Sequence, residues 1–352
     1  MTLQQAIGSI KPADKDIFLQ AKLKWDSIAK PLGSLGLLED AVIDICAMTR
    51  CLSPALNSRC VAVFCADNGV VADGVTQTGS EVTAIVAKNL CTGNTSVCKM
   101  AGVARAQVVP VDMGMNTPVE DHRMVNCRVA SGTASLRNGP AMTHTQAIQA
   151  LEHGMKLAQH LDAAGYDLFA TGEMGIGNTT TSSAVASVLL NRPVKEMTGA
   201  GAGLSCEGVL HKIAVIKEGI VKNRPNPADP VDVLAKVGGF DIAGMAGFYL
   251  GAALCQKPCI IDGFISGVAA LCAVRLCPKA ADYLLASHVS AEPAGHLVLE
   301  ALGLKPLITA QMRLGEGTGA VAVMPLLDMA LTVFNTMSTF EEISIEAYEH
   351  LH

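Results

Sequence analysis

Four short apolar runs, at residues 60–65, 107–111, 166–170 and 258–261, each stop at a loop of glycine and polar residues. The loops read CADNG, VDMGMN, TGEMGIGNTTTSS and IDGFIS, and a less distinct fifth run covers 283–286. Amphipathic stretches with helical spacing separate these runs, which are too far apart to close as hairpins. Strands joined by helices pair in parallel, with helices on both faces of the sheet. In such sheets ligands gather outside the carboxyl ends of the strands, so the four loops are where chemistry is expected.

Before the first strand, Ile17, Phe18, Ala21, Leu23 and Ile28, then Leu37, Leu38, Ala41, Ile43 and Ile45, recur at helical spacing around KPLGSLG. This predicts two helices joined by a loop. No linker divides the middle of the chain. One large α/β domain over 56–329 is expected, with 1–55 and 330–352 forming a smaller helical one. Half of the 352 residues are apolar, enough for a large core. The net charge of −6 with no basic block gives nucleic acid nothing to hold. The most apolar uncharged run, 242–256, is 15 residues with three glycines, shorter than a membrane span needs. The amino terminus reaches Lys11, Asp14 and Lys15 without a signal core, so a cytoplasmic location is expected. Twelve cysteines lack CxxC spacing and read as reduced core residues, with no metal and no cofactor expected.

Two loops hold carboxylates among glycines. TGEMGIGNTTTSS, at 171–183, runs from a strand into an apolar helix, which suits backbone binding of phosphate. Asn178 and the threonines could equally be caps for that helix, whereas Glu173 has few structural partners in a glycine-rich loop. MRLGEGTG, at 312–319, places Glu316 among glycines before a long apolar helix, either as a general base or as a complement to the helix dipole. GAGAG at 199–203 allows close backbone approach but is not the dinucleotide fingerprint. Lys212, on the helix that follows, could meet a phosphate as a point charge or simply be solvated.

KPLGSLGLLE (30–39), CADNGV (65–70), GEMGIGNTT (172–180), KVGGFDIAGM (236–245), DGFIS (262–266), SHVSAE (287–292) and MRLGEGTGA (312–320) together resemble the nicotinate-nucleotide:dimethylbenzimidazole phosphoribosyltransferase family, nearly end to end. The resemblance implies a Rossmann-like parallel sheet, a small helical domain built from both termini, and a dimer. It implies a catalytic base at Glu316, with Glu173 assisting or orienting. It also implies phosphate and ribose contacts from Gly175, Lys212, Ser290, Ala291 and Glu292, with Gly201 and Gly203 beside them. The implied reaction moves ribose 5-phosphate from nicotinate mononucleotide to an aromatic acceptor, turning a β linkage into an α one. Nicotinate leaves as a neutral ring nitrogen, so its departure needs no metal.

For the acceptor the resemblance implies a pocket of Thr78, Val86, Met174 and Leu314. Asn68 stands where a histidine is common, Val86 where a glutamine would bond benzimidazole, and Met174 where leucine is usual. A more apolar pocket suits a phenol as well as a benzimidazole. A relative of the family activates phenol or p-cresol as a heterodimer in which one subunit keeps the catalytic glutamate, and this chain resembles that subunit. The expected partners are the small-molecule substrates and either a second copy or a paralogous subunit. A competing reading is a non-catalytic subunit supporting an active paralogue, against which Glu316 argues. A pyrophosphate-releasing transferase would want an apolar strand ending in paired acidic residues, which the sequence lacks.

Overall fold

A computed structural model describes residues 2–350; Met1 and residues 351–352, at the outer ends of the expected helical domain, lie outside the described residues. Six parallel strands form one sheet in the order β3-β2-β1-β4-β5-β6. They are β1 (Arg59–Ala66), β2 (Ala106–Gly114), β3 (Val125–Asn126), β4 (Leu168–Met174), β5 (Cys259–Ile261) and β6 (Leu284–Ala286). The order is that of the doubly wound Rossmann sheet, as expected, with its switch point between β1 and β4. β1 reads RCVAVFCA and is buried at every position, because a central parallel strand is covered on both faces. β3 has only two residues, too few to leave a periodic signal. β2 and β4 run further toward their carboxyl ends than the apolar runs suggested, since ladder bonds to β1 carry polar and glycine residues along with them.

Before β1 come α1 (Leu3–Ser9), α2 (Lys15–Ser27) and α3 (Leu37–Thr49); α4 (Glu81–Thr92) and α5 (Ser96–Val103) precede β2. α6 (His144–Ala163) leads to β4, and α7 (Asn178–Leu189), α8 (Val194–Met197), α9 (Cys206–Asn223), α10 (Pro230–Val237) and α11 (Phe240–Leu254) fill the connection to β5. α12 (Phe264–Leu276) links β5 to β6, and α13 (Gly295–Leu302) and α14 (Thr318–Thr336) follow. α2 and α3 flank the KPLGSLG loop as predicted. That loop is held by a buried ion pair, Lys30 Nζ to Glu39 at 2.6 Å, and the same carboxylate accepts the Leu35 amide.

The chain ends meet. Ala29 donates to the Ser338 carbonyl and Phe340 to that of Ser27, and Trp25 lies 4.9 Å from Phe334 between ring centroids. α14 is long and apolar enough to cross a membrane by length and composition. In the fold its Asp328 instead pairs with the buried Arg59, while its Ala320, Val323, Met324 and Leu327 enter the core.

α6 and α11 cross backbone to backbone, which explains why the apolar run at 242–256 spends three positions on glycine. A Cβ at Gly247 would fall 1.9 Å from the Leu151 carbonyl oxygen, and one at Gly154 would fall 1.9 Å from that of Gly244. Gly247→Val should therefore cost about 1–3 kcal/mol in urea unfolding. Gly102→Ala, on the exposed side of α5 with open space around it, should stay within about 0.5 kcal/mol of the native chain.

Candidate active site

A cavity opens at the carboxyl ends of β4 and β5 and is walled by the loops after β6 and before α14. Glu173, Met174, Gly175, Gly201, Ser290, Glu292, Leu314 and Glu316, singled out from sequence, all line it. Glu173 is not in a loop: it is the penultimate residue of β4, paired with Phe64 of β1, and is buried. Its partner is Asn178, whose amide donates to Oε2. Asn178 therefore does not cap α7. Gly177, in the left-handed region at φ +91°, is the cap residue, with no side-chain cap bond. The ambiguity read from sequence resolves this way because the asparagine amide satisfies the buried Glu173 carboxyl group, which would otherwise lack a side-chain donor.

The loop bearing Glu316 is fixed from below by a residue sequence reasoning quoted only within a motif. Asp262, directly after β5, accepts the amides of Gly319 at 2.6 Å, Ala320 at 3.1 Å and Gly317 at 3.1 Å. A buried carboxylate at the positive end of α14 satisfies three donors that the helix itself cannot. Gly172 is needed next to it, because a Cβ there would fall 2.2 Å from the Glu316 carbonyl oxygen. Glu316 itself takes φ +61°, which points its side chain up from this anchored turn, and Oε2 accepts the Val97 amide at 3.3 Å.

A smaller chamber adjoins the cavity, sharing Gly175, Ile176, Asn178 and Thr179 with it and adding Thr78, Leu204 and Lys212. Lys212 is only 1% exposed, which removes the solvated-lysine reading; Nζ donates to Thr179 Oγ1 at 2.8 Å and to the Gly199 carbonyl at 3.4 Å. The GAGAG segment closes over it. Gly201 and Gly203 take positive φ, and Gln77 donates to the Gly203 carbonyl. Four residues singled out from sequence lie off both spaces, among them Asn68, which is buried and accepts a hydrogen bond from the Thr181 hydroxyl. Gly203 is exposed beyond the chamber, Ala291 is exposed with its amide on Met312, and Val86 sits half-buried on α4. Helical phase turns Thr83 of α4 inward instead, where its hydroxyl accepts the Ile176 amide at 3.2 Å.

A family model described as phosphoribosyltransferase matches residues 10–345. The nicotinate-nucleotide–dimethylbenzimidazole phosphoribosyltransferase of Ruminiclostridium cellulolyticum is 44% identical over 351 residues, the whole of both chains. The chain belongs to that family. The enzyme of the same name from Acetivibrio thermocellus is 44% identical over 99% of each chain. A crystal structure of CobT from Thermus thermophilus superposes with a TM-score of 0.90 at 38% identity, covering 94% of this chain and 99% of the other.

The electrostatics of this phosphoribosyltransferase separate its carboxylates. Burial drives Glu173 up to about 8, against the Asn178 bond that pulls it down, with Asp241 and Asp262 pushing the same way as burial. Burial also raises Asp262 to about 7, against its three amide donors, and Asp241 to about 6. Lys212 is lowered to about 8 by burial, with Glu292 acting the other way. A dianionic phosphate beside it would restore the ammonium form. Among the described residues no group of three His, Cys, Asp or Glu is gathered as metal ligands would be.

Glu173 sits above its ordinary 4.5, so the folded state keeps a proton that the unfolded chain sheds between pH 4.5 and 8. Stability should fall as pH rises through that window. Glu173→Gln should gain on the native chain from pH 4.5 upward and level off above pH 8, in urea titrations at stepped pH. A difference independent of pH would mean that the folded state holds Glu173 ionised.

Proposed function

We propose that this phosphoribosyltransferase moves ribose 5-phosphate from nicotinate mononucleotide to 5,6-dimethylbenzimidazole, with phenol and p-cresol as further acceptors. It would give an α-riboside 5′-phosphate for the lower ligand of a cobamide and release nicotinate. The names of the relatives support the benzimidazole reaction. The observation that carries the reading is the pairing of an anchored, part-exposed Glu316 at the cavity with a buried lysine chamber beside it.

Glu316 takes the acceptor's proton as the acceptor nitrogen or oxygen attacks ribose C1′ from the face opposite nicotinate. The C1′–nitrogen bond breaks and its electron pair returns to the pyridinium, which leaves neutral. Positive charge builds on the ribose ring between these events, and the Glu316 carboxylate in the cavity wall is complementary to it. Glu173, protonated up to about pH 8, orients its neighbours rather than removing a proton. The phosphate lies against Lys212 and the Gly175 turn, and Gly201, Ser290 and Glu292 bound the ribose.

Met174 and Leu314 line the cavity and give the acceptor an apolar, adaptable wall. A phenol, with a pKa of about 10, depends heavily on the base. Purified chain incubated with nicotinate mononucleotide and each acceptor should release nicotinate and yield the matching riboside phosphate by mass. A chain silent alone but active with a paralogous subunit would place it in a heterodimer; silence in both settings would refute the reading. Glu316→Gln should lower kcat by about 10²–10⁴ with little change in donor KM. Unchanged turnover would remove Glu316 from the mechanism. Lys212→Met should instead raise donor KM, as expected for a lost phosphate contact.

A further inference from the structure

His288 follows β6, is 4% exposed, and forms part of the cavity wall, yet the reaction as written gives it nothing to do. Its Nδ1 lies 3.0 Å from Ser287 Oγ, and that hydroxyl donates to the Asp262 carbonyl at 2.8 Å. A serine hydroxyl has one hydrogen. With it committed to a carbonyl, which can only accept, Oγ can only accept from His288, so Nδ1 carries the ring proton. Burial lowers the imidazole below its usual range, which keeps the ring neutral. Nε2 then presents a lone pair.

The Ser287 bond orients the ring, and Gly319 packs on it so closely that a Cβ there would fall 1.9 Å from Nδ1. Nε2 has no partner among the described residues and is not sealed from the cavity. It is an acceptor fixed in direction, on a side chain more than nine-tenths buried.

We propose that His288 Nε2 accepts a hydrogen bond from the ribose 2′,3′-diol of the phosphoribosyl donor. This rests on nicotinate mononucleotide being that donor. At neutral pH the phosphate, the carboxylate and the quaternary ring nitrogen of that nucleotide carry essentially no proton to donate. Only its ribose hydroxyls can meet a lone pair. The same lone pair disfavours phosphate and carboxylate, so His288 and Lys212 together set the direction in which the nucleotide lies. Asp262 competes less well for the diol, since Oδ1 already accepts two amides and Oδ2 one, which leaves a single free lone pair on Oδ2.

The test compares the native chain with His288→Leu on three donors: nicotinate mononucleotide and its 2′-deoxy and 3′-deoxy forms. Comparing both proteins on the same donor cancels the intrinsic lability of a deoxyriboside. The leucine variant should lose about 10- to 100-fold in kcat/KM on the ribonucleotide, the range for a buried polar group left unpaired. On one deoxy donor the loss should nearly vanish. An equal loss on all three would overturn the proposal. Should the variant fail to fold, ring ¹⁵N shifts of the native chain give the same answer. An unprotonated Nε2 that moves on binding the ribonucleotide, and not that deoxy form, supports the assignment; a protonated or unmoved Nε2 overturns it. Native chain unable to use nicotinate mononucleotide with any acceptor, alone or with a paralogous subunit, would instead defeat the donor assignment itself.

Discussion

Asp262 leaves the end of β5 fully buried, and its carboxylate takes the amide protons of Gly317, Gly319 and Ala320 at the start of α14. These groups lie far apart in the chain, and the bond between them ties the sheet to the helix whose loop carries Glu316. A strand end is rigid because its backbone is paired in the sheet, and a helix start is rich in unpaired donors. Joining the two with a carboxylate converts both into one support. The Glu316 turn then needs only glycine neighbours to pass over β4, which Gly172 and Gly317 provide.

The same economy runs through the rest of the site. Glu173, Asp241 and Asp262 are buried where ionisation is costly; Asn178 and the α14 backbone donate to Glu173 and Asp262, whereas Asp241 takes the Ile242 amide on Oδ1 and keeps Oδ2 without a partner. Burial tunes Lys212 in the opposite sense. The cavity therefore has one end suited to developing positive charge on a sugar and another suited to phosphate. A mononucleotide has that polarity.

The strand and helix alternation was legible because periodicity and length depend only on near neighbours. It led to a parallel sheet with helices on both faces, and the α2 and α3 pair around KPLGSLG followed from the same signal. β3 was not legible, since two residues carry no period. The loop glycines marked where chemistry would gather, and eight of the residues singled out do line one cavity. Val86, Ala291 and Gly203 lie outside it. Whether a helix face or loop residue turns inward depends on packing phase, which one sequence leaves open to within a fraction of a turn.

What the sequence by itself determined was the class of fold, the loops that matter, and, through seven motifs, the family. Tertiary structure alone decided the partners of each polar group. Asn178 became a ligand of Glu173 rather than a cap, Asp262 an anchor for α14, and His288 a fixed acceptor through Ser287. The reason is physical: backbone propensity and hydrophobic period are local, whereas the state of a buried carboxylate or imidazole is set by donors brought to it from distant parts of the chain.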